Sequence, residues 1–431
     1  MLESGYGRPV SYCMQVRPGP SHGIEPTRLG PVTEDFTAGA NGRDRRNARL
    51  YLTGLAASLL GNSAMSLVAG IWVKSLTGSS AQAGLVSACV YAPSLAGPIA
   101  GMIVDRVRRQ RWLIGVNLAS AVSILSLLTV RSVHQVWVIY VAMIAYGIEI
   151  ILTDPAEDAL FAEMLPHQLR QSMNGWRLGI QETGRLLAPL IGAGLFTLVG
   201  GGPVAALDAM TFVVAAAMVS RLQLAPTTPA PTRHRWLTEL TAGVRHIRLT
   251  CELRRVVLAA TGVMAVSGVG VAAQYSLVTS LGQPPAFLGL LSAALGAGSI
   301  IAALTSDRIL TRLGERRLAI AGLINFVGGN LLRATGWLPA VVIGSIVLGF
   351  ALPWAFLAVI NLAQRATPIA LQGRVSAAVI LALFGPQAPT QALGALLITH
   401  ATYRQTYIAS ALVAGLIAVW LGLRQSPEQP R

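Results

Sequence analysis

The chain has 431 residues, of which 53% are hydrophobic and only 12% are charged, and its mean hydropathy is +0.58. Because a soluble domain has about 25% charged residues, this composition excludes a water-soluble fold and predicts a protein that lies in a lipid bilayer. The net charge is +15, but the arginines stand in short clusters between apolar runs, so anionic lipid headgroups are expected as their partner and nucleic acid is not.

The predicted elements begin after a polar stretch. Residues 1–48 are rich in Gly, Pro and Arg, and we expect a disordered cytoplasmic tail there. Twelve apolar runs follow, each close to the roughly 20 residues that a spanning helix needs. The first six predicted spans are 50–73, 82–104, 112–130, 135–154, 173–198 and 203–221. The second six are 256–280, 286–306, 316–334, 338–362, 375–399 and 404–423.

A long connection separates the two groups of six spans. It opens with APTTPAP (225–231), which is typical of a stiff, irregular linker. It continues as WLTELTAGVRHIRLTCELRR (236–255), whose spacing predicts an amphipathic helix on the membrane surface. The predicted domains are the tail 1–48, a six-helix bundle 49–222, a cytoplasmic linker 223–255, a second six-helix bundle 256–424 and a cytoplasmic tail 425–431.

The distribution of basic residues predicts the orientation. With the N-terminus inside, almost all the arginines between spans fall on the inner side. The outer loops then hold only Lys74, Arg131, Arg333 and Arg404. We therefore expect a multi-pass protein of a bacterial plasma membrane with both termini in the cytoplasm.

The two groups of spans resemble each other in sequence. A shift of 202 residues aligns Asp105 with Asp307, Gly147 with Gly349 and Gly192 with Gly394, and the strings GLVSA (84–88) and GLLSA (289–293) match at a shift of 205. Since both groups have six spans, the repeats run in the same orientation. Two parallel halves related by an axis along the membrane normal are typical of one large class of secondary transporters.

Two charged loops carry a family resemblance. GMIVDRVRRQR (101–111) follows the second span and LTSDRILTRLGERR (304–317) follows the eighth. This pattern resembles the signature of the major facilitator superfamily, which implies an all-α membrane protein of twelve transmembrane helices in two pseudo-symmetric six-helix bundles. The first copy departs from the usual pattern at Arg108, and the second lacks the leading glycine.

The resemblance implies a cytoplasmic gate in these loops. A glycine there would let two helices approach closely, and the charges would hold the inner gate shut until the halves rock. Alternatively, the arginines only fix the orientation. The implied gate residues are Gly101, Asp105, Arg106, Arg109, Arg111, Asp307, Arg308, Arg312 and Arg316.

The fifth span contains a second pattern, GWRLGIQETGRLLAPLIGAG (175–194). It is similar to the antiporter motif of major facilitator exporters, with alanine in place of two glycines, and this implies export. The alternative is ordinary close packing of small residues in a membrane. The residues that match the motif are Gly175, Gly184, Pro189 and Gly192.

The chain also resembles the branch of this superfamily that holds the enterobactin exporter and macrolide efflux proteins, over about residues 48–424. Its marks are SLTGSSAQAGLVSA (75–88), DPAEDALFAEMLPHQLRQSMNG (154–175), ALDAMTFVVAAAMV (206–219) and QRATPIALQGRVSA (364–377). This chain has Gly61-Asn62 where the branch commonly has Gly-Asp. It also lacks the fourth-helix arginine of many proton-coupled relatives, and Glu149 lies in that region instead.

Few ionisable residues lie within the predicted spans. A charged group at the centre of a membrane helix costs on the order of 2.5–3.5 kcal/mol on insertion scales, so it needs a partner, water or a task. Glu149 has no partner nearby in sequence and is our first candidate for a proton carrier. Glu182 and Arg185 stand three residues apart on one helix face, so they either neutralise each other or act on a substrate. Asp208 and Asn62 are further candidates for the coupling site or the substrate cavity.

These observations predict a proton-driven exporter of a small amphipathic compound. Proton symport in the direction of uptake and a non-transporting membrane scaffold are the alternatives. With Lys74 as the single lysine, no GxxxxGK[ST] motif and no paired histidines, no cofactor, no metal site and no enzymatic activity are expected. The expected partners are a small-molecule substrate, protons and the bilayer, and we expect a monomer.

Overall fold

The structure is a computed structural model, and it describes residues 42–104, 107–165, 167–224 and 236–423. Throughout these ranges the chain forms helices joined by short connections. The predicted tail 1–48 lies outside the described residues except for 42–48, which form the first turns of a helix.

The first half contains six crossings. Its helices are α1 (Gly42–Thr77), α2 (Ser80–Tyr91), α3 (Gly97–Val104), α4 (Arg109–Leu125), α5 (Val136–Met164), α6 (His167–Val199) and α7 (Gly201–Ser220). A 3-10 segment, Ala92–Ala96, joins α2 and α3 into one interrupted crossing. The interruption contains Pro93, whose ring excludes a backbone hydrogen bond and so breaks a regular helix.

The second half repeats this arrangement after a connecting helix. Its helices are α8 (Trp236–Leu249), α9 (Cys251–Ser280), α10 (Phe287–Ala334), α11 (Leu338–Ala366), α12 (Gln372–Phe384), α13 (Gln387–Leu397) and α14 (Tyr403–Leu423). Within α10 the backbone turns at Gly314, where φ is 75° and ψ is 168°, so that α10 makes two crossings. Glycine adopts this positive φ without steric cost. Together, α12 and α13 make one crossing.

The described helices therefore confirm the predicted fold class of twelve transmembrane helices. Ten segments have the length and apolar composition of a span. Among these, α10 counts once although it crosses twice, and the interrupted α2–α3 crossing is not counted. Several helices extend beyond the predicted spans. The largest difference is in α5, which continues past Pro155 to Met164, because a helix can project from the bilayer after its residues cease to be apolar.

One basic residue lies elsewhere than the charge count suggested. Arg333, assigned to an outer loop, belongs to the last turn of α10 and is only 7% exposed. Its Nε and Nη2 atoms donate to Ser345 Oγ at 3.1 and 2.9 Å. The sequence assignment was wrong because a buried hydroxyl acceptor cannot be recognised from the local sequence.

Equivalent contacts recur in the two halves. A Cβ at Gly147 would overlap the carbonyl oxygen of Val90, and a Cβ at Gly349 would overlap that of Leu295. The glycines correspond at the shift of 202 found in the sequence, and their partners correspond at 205. Glycine permits this close approach of helix backbones in a membrane, so the repeat in the sequence is also a repeat in packing.

The connecting helix α8 is fixed to the second half. A Cβ at Gly243 would overlap the carbonyl oxygen of Arg374, and a ring nitrogen of His246 lies 3.1 Å from the carbonyl oxygen of Ala366. Arg245 and Arg248 are exposed on the opposite side, where the predicted amphipathic helix would meet lipid headgroups. Residues 225–235 of the predicted linker lie outside the described residues.

The two halves meet at the ends that the predicted orientation places outside, called the outer ends below. A Cβ at Gly84 on α2 would lie 2.5 Å from Ala272 Cβ on α9, and one at Gly289 on α10 would lie 2.5 Å from Ala193 Cβ on α6. Five glycines near the inner ends differ from these, because an added Cβ would meet no atom within 4 Å. They are Gly97, Gly101, Gly175, Gly179 and Gly373. At these positions, the described helices of the two halves pack closely on the outer side and not on the inner side.

Candidate functional site

A buried carboxylate lies in the middle of the first half. Glu149 is on the face of α5 that also carries Tyr146 and Thr153, and it is only 3% exposed. Its Oε2 atom has no hydrogen-bond partner. Because unpaired charge is costly away from water, this carboxylate requires a proton, a cation or water.

A second buried carboxylate comes from α7. Asp208 is 2% exposed, and its Oδ2 atom also lacks a hydrogen-bond partner. A Cβ at Gly61 would overlap both Asp208 Oδ1 and the hydroxyl of Thr211. The lack of a side chain at Gly61 therefore allows Asp208 of α7 to rest against α1.

The two carboxylates form one electrostatic group with Tyr146. The charge of Asp208 acts on Glu149, and both charges act on the Tyr146 hydroxyl. The Tyr146 hydroxyl and Asn62 Oδ1 are buried without hydrogen-bond partners. In the described part of the chain, no ion pair joins either carboxylate to an arginine, lysine or histidine. The group is therefore suited to binding protons, which remove the charge without a counter-ion.

The structure brings together only some of the predicted coupling residues. Glu149, Asp208 and Asn62 share the interior of the first half, whereas Glu182 and Arg185 form a separate ion pair of 3.1 Å on α6. The side chain of Arg185 is 66% exposed, and its charge acts on the hydroxyl of Tyr91 on α2. An exposed ion pair of this kind contributes little stability.

The predicted gate residues make contacts within their own halves. Asp105 and Arg106 lie outside the described residues. Arg109 forms a 3.0 Å ion pair with Glu163 on α5, and Arg316 caps the end of α14 through the carbonyl oxygens of Leu421 and Gly422. The remaining described side chains of the predicted gate are exposed, namely Arg111, Asp307, Arg308 and Arg312.

The close helix approach expected at Gly101 is not present in this structure, because a Cβ there would meet nothing within 4 Å. Open inner ends account for this observation. A gate that closes the inner side would form its contacts only when the halves rock, so the gate role of these residues remains a prediction.

The antiporter-like motif contributes to helix packing over part of its length. A Cβ added at Gly192 would lie 2.8 Å from Ala64 Cβ on α1. A Cβ added at Gly289 on α10 would lie 2.9 Å from the carbonyl oxygen of Pro189. A Cβ at Gly184 would make an ordinary contact of 3.8 Å with Leu59 Cβ, and a Cβ at Gly175 would meet no atom within 4 Å. The outer part of the motif therefore joins α6 to α1 and to the opposite half.

Sequence analysis missed a charged cluster at the inner end of α5. Arg177 on α6 donates to Asp158 Oδ1 at 2.8 Å, and its charge also acts on Glu157 and Tyr51. The spacing of Glu149, Thr153 and Glu157, four residues apart, was a usable signal, since such residues share one helix face. It was overlooked because the predicted span ended at residue 154.

Replacing Gly61 by alanine tests the contact between α1 and Asp208. The new Cβ would overlap the Asp208 carboxylate, and overpacking of this kind costs about 1–3 kcal/mol. We expect a lower melting temperature for the purified protein in detergent. Gly194→Ala is the matched control, because an alanine there would meet no atom within 4 Å. Equal melting temperatures for the two variants would contradict the proposed packing.

Comparisons with known proteins agree with this architecture. The family model described as Major Facilitator Superfamily matches residues 50–269 and 255–431. No curated protein sequence matches the chain significantly.

Solved structures are similar in fold at low sequence identity. The nucleoside transporter NupG has a TM-score of 0.71 and 12% identity, covering 89% of this chain and 98% of its own. A bacterial homolog of the human lysosomal transporter Spinster, in an inward-facing and unoccupied conformation, has a TM-score of 0.66 and 13% identity, covering 90% and 100%. The POT family transporter PepTSo has a TM-score of 0.68 and 12% identity, covering 87% and 97%.

Proposed function

Because the chain belongs to the major facilitator superfamily, whose members are membrane transporters of small molecules, we propose that it is a proton-coupled exporter of small amphipathic compounds. Two similar halves would rock about the space between them and expose it alternately to the two sides. The close packing of the two halves at Gly84 and Gly289 fits a state in which the opposite side is accessible, and in the predicted orientation that side is the cytoplasmic one.

Proton coupling rests on one observation. Glu149 and Asp208 are buried carboxylates without a cationic partner among the described residues, and each has an oxygen atom without a hydrogen bond. Burial of two such groups in a membrane is costly, and structural packing alone gives no reason to keep both. Reversible protonation gives them a task, and Glu149 is the proposed carrier.

The direction of export is supported by the pattern in α6. Gly192 and Pro189 of the antiporter-like motif lie where α6 meets α1 and α10. These residues therefore occupy the joint about which the halves would move. Together with the resemblance to the branch of siderophore and macrolide exporters, this supports export over uptake.

An apolar pocket between the halves is consistent with an amphipathic substrate. Its volume is about 480 Å³, and α2, α5 and α13 all contribute to its lining. The lining residues are Leu85, Ala88, Cys89, Ala92, Tyr140, Ile144, Ala388, Pro389 and Ala392. Because α13 belongs to the opposite half, the pocket would change shape as the halves rock. Ligand sites of this kind are mostly apolar with few polar anchors.

Retention of fluorescent probes in cells tests this proposal. We expect that expression lowers the accumulation of at least one probe from a panel containing ethidium, a labelled macrolide and a labelled catecholate siderophore. A protonophore should restore accumulation to the level of cells with an empty vector. Raised accumulation on expression would instead indicate uptake, and export that is insensitive to the protonophore would exclude proton coupling.

A further inference from the structure

The proposed proton carrier lies inside a helical bundle. Glu149 follows Tyr146, which is part of the buried core of the first half and packs edge-to-face on Phe212 of α7 at a ring distance of 6.2 Å. The charge of Asp208, also on α7, acts on Glu149. Because Glu149 is only 3% exposed, a proton can reach it only through packed protein.

One face of α5 provides polar atoms along the way. Glu149, Thr153 and Glu157 are spaced by one helical turn, so they form a row along this face. Thr153 is 7% exposed, and its side chain lies close enough to Glu149 to interact with the carboxyl group. Neither the Thr153 hydroxyl nor Glu149 Oε2 has a partner with regular hydrogen-bond geometry. Buried polar atoms are almost always satisfied, and where protein provides no partner, ordered water does. We therefore expect a file of water molecules to supply the missing partners along this row.

The inner end of this row opens to the aqueous side. Arg177 binds Asp158, whose side chain is 69% exposed, and its guanidinium group lies 5.8 Å from the ring of Tyr51 and 5.0 Å from that of Phe161. The Tyr51 hydroxyl is buried and has no hydrogen-bond partner. The row therefore runs from a fully buried carboxylate to an ion pair in contact with water.

Charged and titratable groups from four helices face the row. On α5 itself these are Asp154 and Asp158, while α6 contributes Arg177 and α1 contributes Tyr51. At the end of the row that contains Glu149, α7 contributes Asp208. In the described part of the chain, Arg177 is thus the cation that balances the carboxylates at the inner end.

We propose that Glu149 exchanges its proton with the cytoplasmic side through Thr153 and Glu157, and that Arg177 is the positioning residue that holds the inner end of this path. The proposal rests on the proposed role of Glu149 as the proton carrier. The Glu149 carboxyl group gives its proton to a water molecule in the file. The Thr153 hydroxyl accepts one proton and donates another, the Glu157 carboxylate receives a proton, and water beside Asp158 removes it. No other bond is made or broken.

Infrared difference spectroscopy on the purified full-length protein tests this path without a transported substrate. After a jump to high pH, the C=O band of the Glu149 carboxyl group, assigned by its absence in Glu149→Gln, should decay as the proton leaves. We expect Thr153→Val and Glu157→Gln to slow this decay about 10²-fold, the lower end of the effect of a positioned proton-transfer group. Thr153→Ser, which keeps the hydroxyl, should restore the native rate.

Matched controls come from the second half. Thr406→Val replaces a threonine that is also buried, at 6% exposed, and Glu315→Gln replaces a carboxylate that pairs with Arg365; both should leave the decay rate unchanged. Native decay rates in Thr153→Val and Glu157→Gln would overturn the path while leaving Glu149 as carrier. The lack of any band that depends on Glu149 would instead refute the carrier, and the path with it.

Arg177 has its own expected effect. Arg177→Gln removes the cation but retains side-chain length and hydrogen bonding, so negative charge accumulates at the inner end and retains the proton there. We expect the decay to shift to higher pH, while Arg177→Lys should shift it less because the charge remains. A decay with the native pH dependence in Arg177→Gln would show that this residue serves only to join α5 to α6.

Discussion

Glutamine in place of Glu149 is expected to abolish proton-driven export while leaving the protein in the membrane. The amide has nearly the same shape as the carboxyl group but cannot release a proton, so the inward movement of protons can no longer drive the halves. Because glutamine carries no charge, the buried site becomes less costly in the membrane, and the variant should be at least as stable as the native chain. A loss of activity would then reflect the coupling step and not unfolding.

The measurement separates coupling from substrate binding. Proteoliposomes that contain Glu149→Gln should not accumulate, under a pH gradient, a probe identified by the retention experiment. When probe is present on both sides, exchange of labelled for unlabelled probe should continue. Glu182→Gln is the matched control on α6, where the carboxylate is paired with Arg185, and it should retain gradient-driven transport. Full gradient-driven transport in Glu149→Gln would remove Glu149 from the mechanism.

The fold could be predicted almost entirely from the sequence because one solvent effect dominates it. Long apolar runs, arginine clusters and matching strings report the bilayer, the orientation and the repeat directly. Helix ends were less predictable. In α5 the apolar run ends near residue 154, yet the helix continues to Met164, because hydropathy marks the limits of the bilayer and does not mark the limits of the helix.

The candidate site was predictable only in part. Glu149 and Asp208 stood out because a carboxylate in an apolar run is unusual. Their proximity did not follow from the sequence, because it depends on how α7 packs on α1 at Gly61. Arg177 and Glu157 were missed for a related reason. Each looks like an ordinary charged residue beyond the end of a span, and only the fold places them below Glu149 on one path.

Valine in place of Gly84 is expected to prevent closure of the outer side. A Cβ there would lie 2.5 Å from Ala272 Cβ and 2.9 Å from Ala272 Cα, and both atoms belong to the rigid helix α9. No flexible side chain can move away, so α2 and α9 must separate. Overpacking costs about 1–3 kcal/mol, which lowers the population of the inward-open state by about 5-fold to 150-fold relative to states in which the halves are apart outside.

The distance between spin labels on opposite halves reports this change. Labels at Arg131 and Trp337, both exposed at the outer ends, should move apart in Gly84→Val, and export should fall because the site no longer opens to the cytoplasm. Gly115→Val is the control, because a Cβ there would meet no atom within 4 Å. An unchanged label distance in Gly84→Val would contradict the close contact of α2 and α9. A longer distance with undiminished export would show that movement of the halves does not limit the rate of export. The rate would then be set by another step of the cycle, such as the movement of the proton along α5.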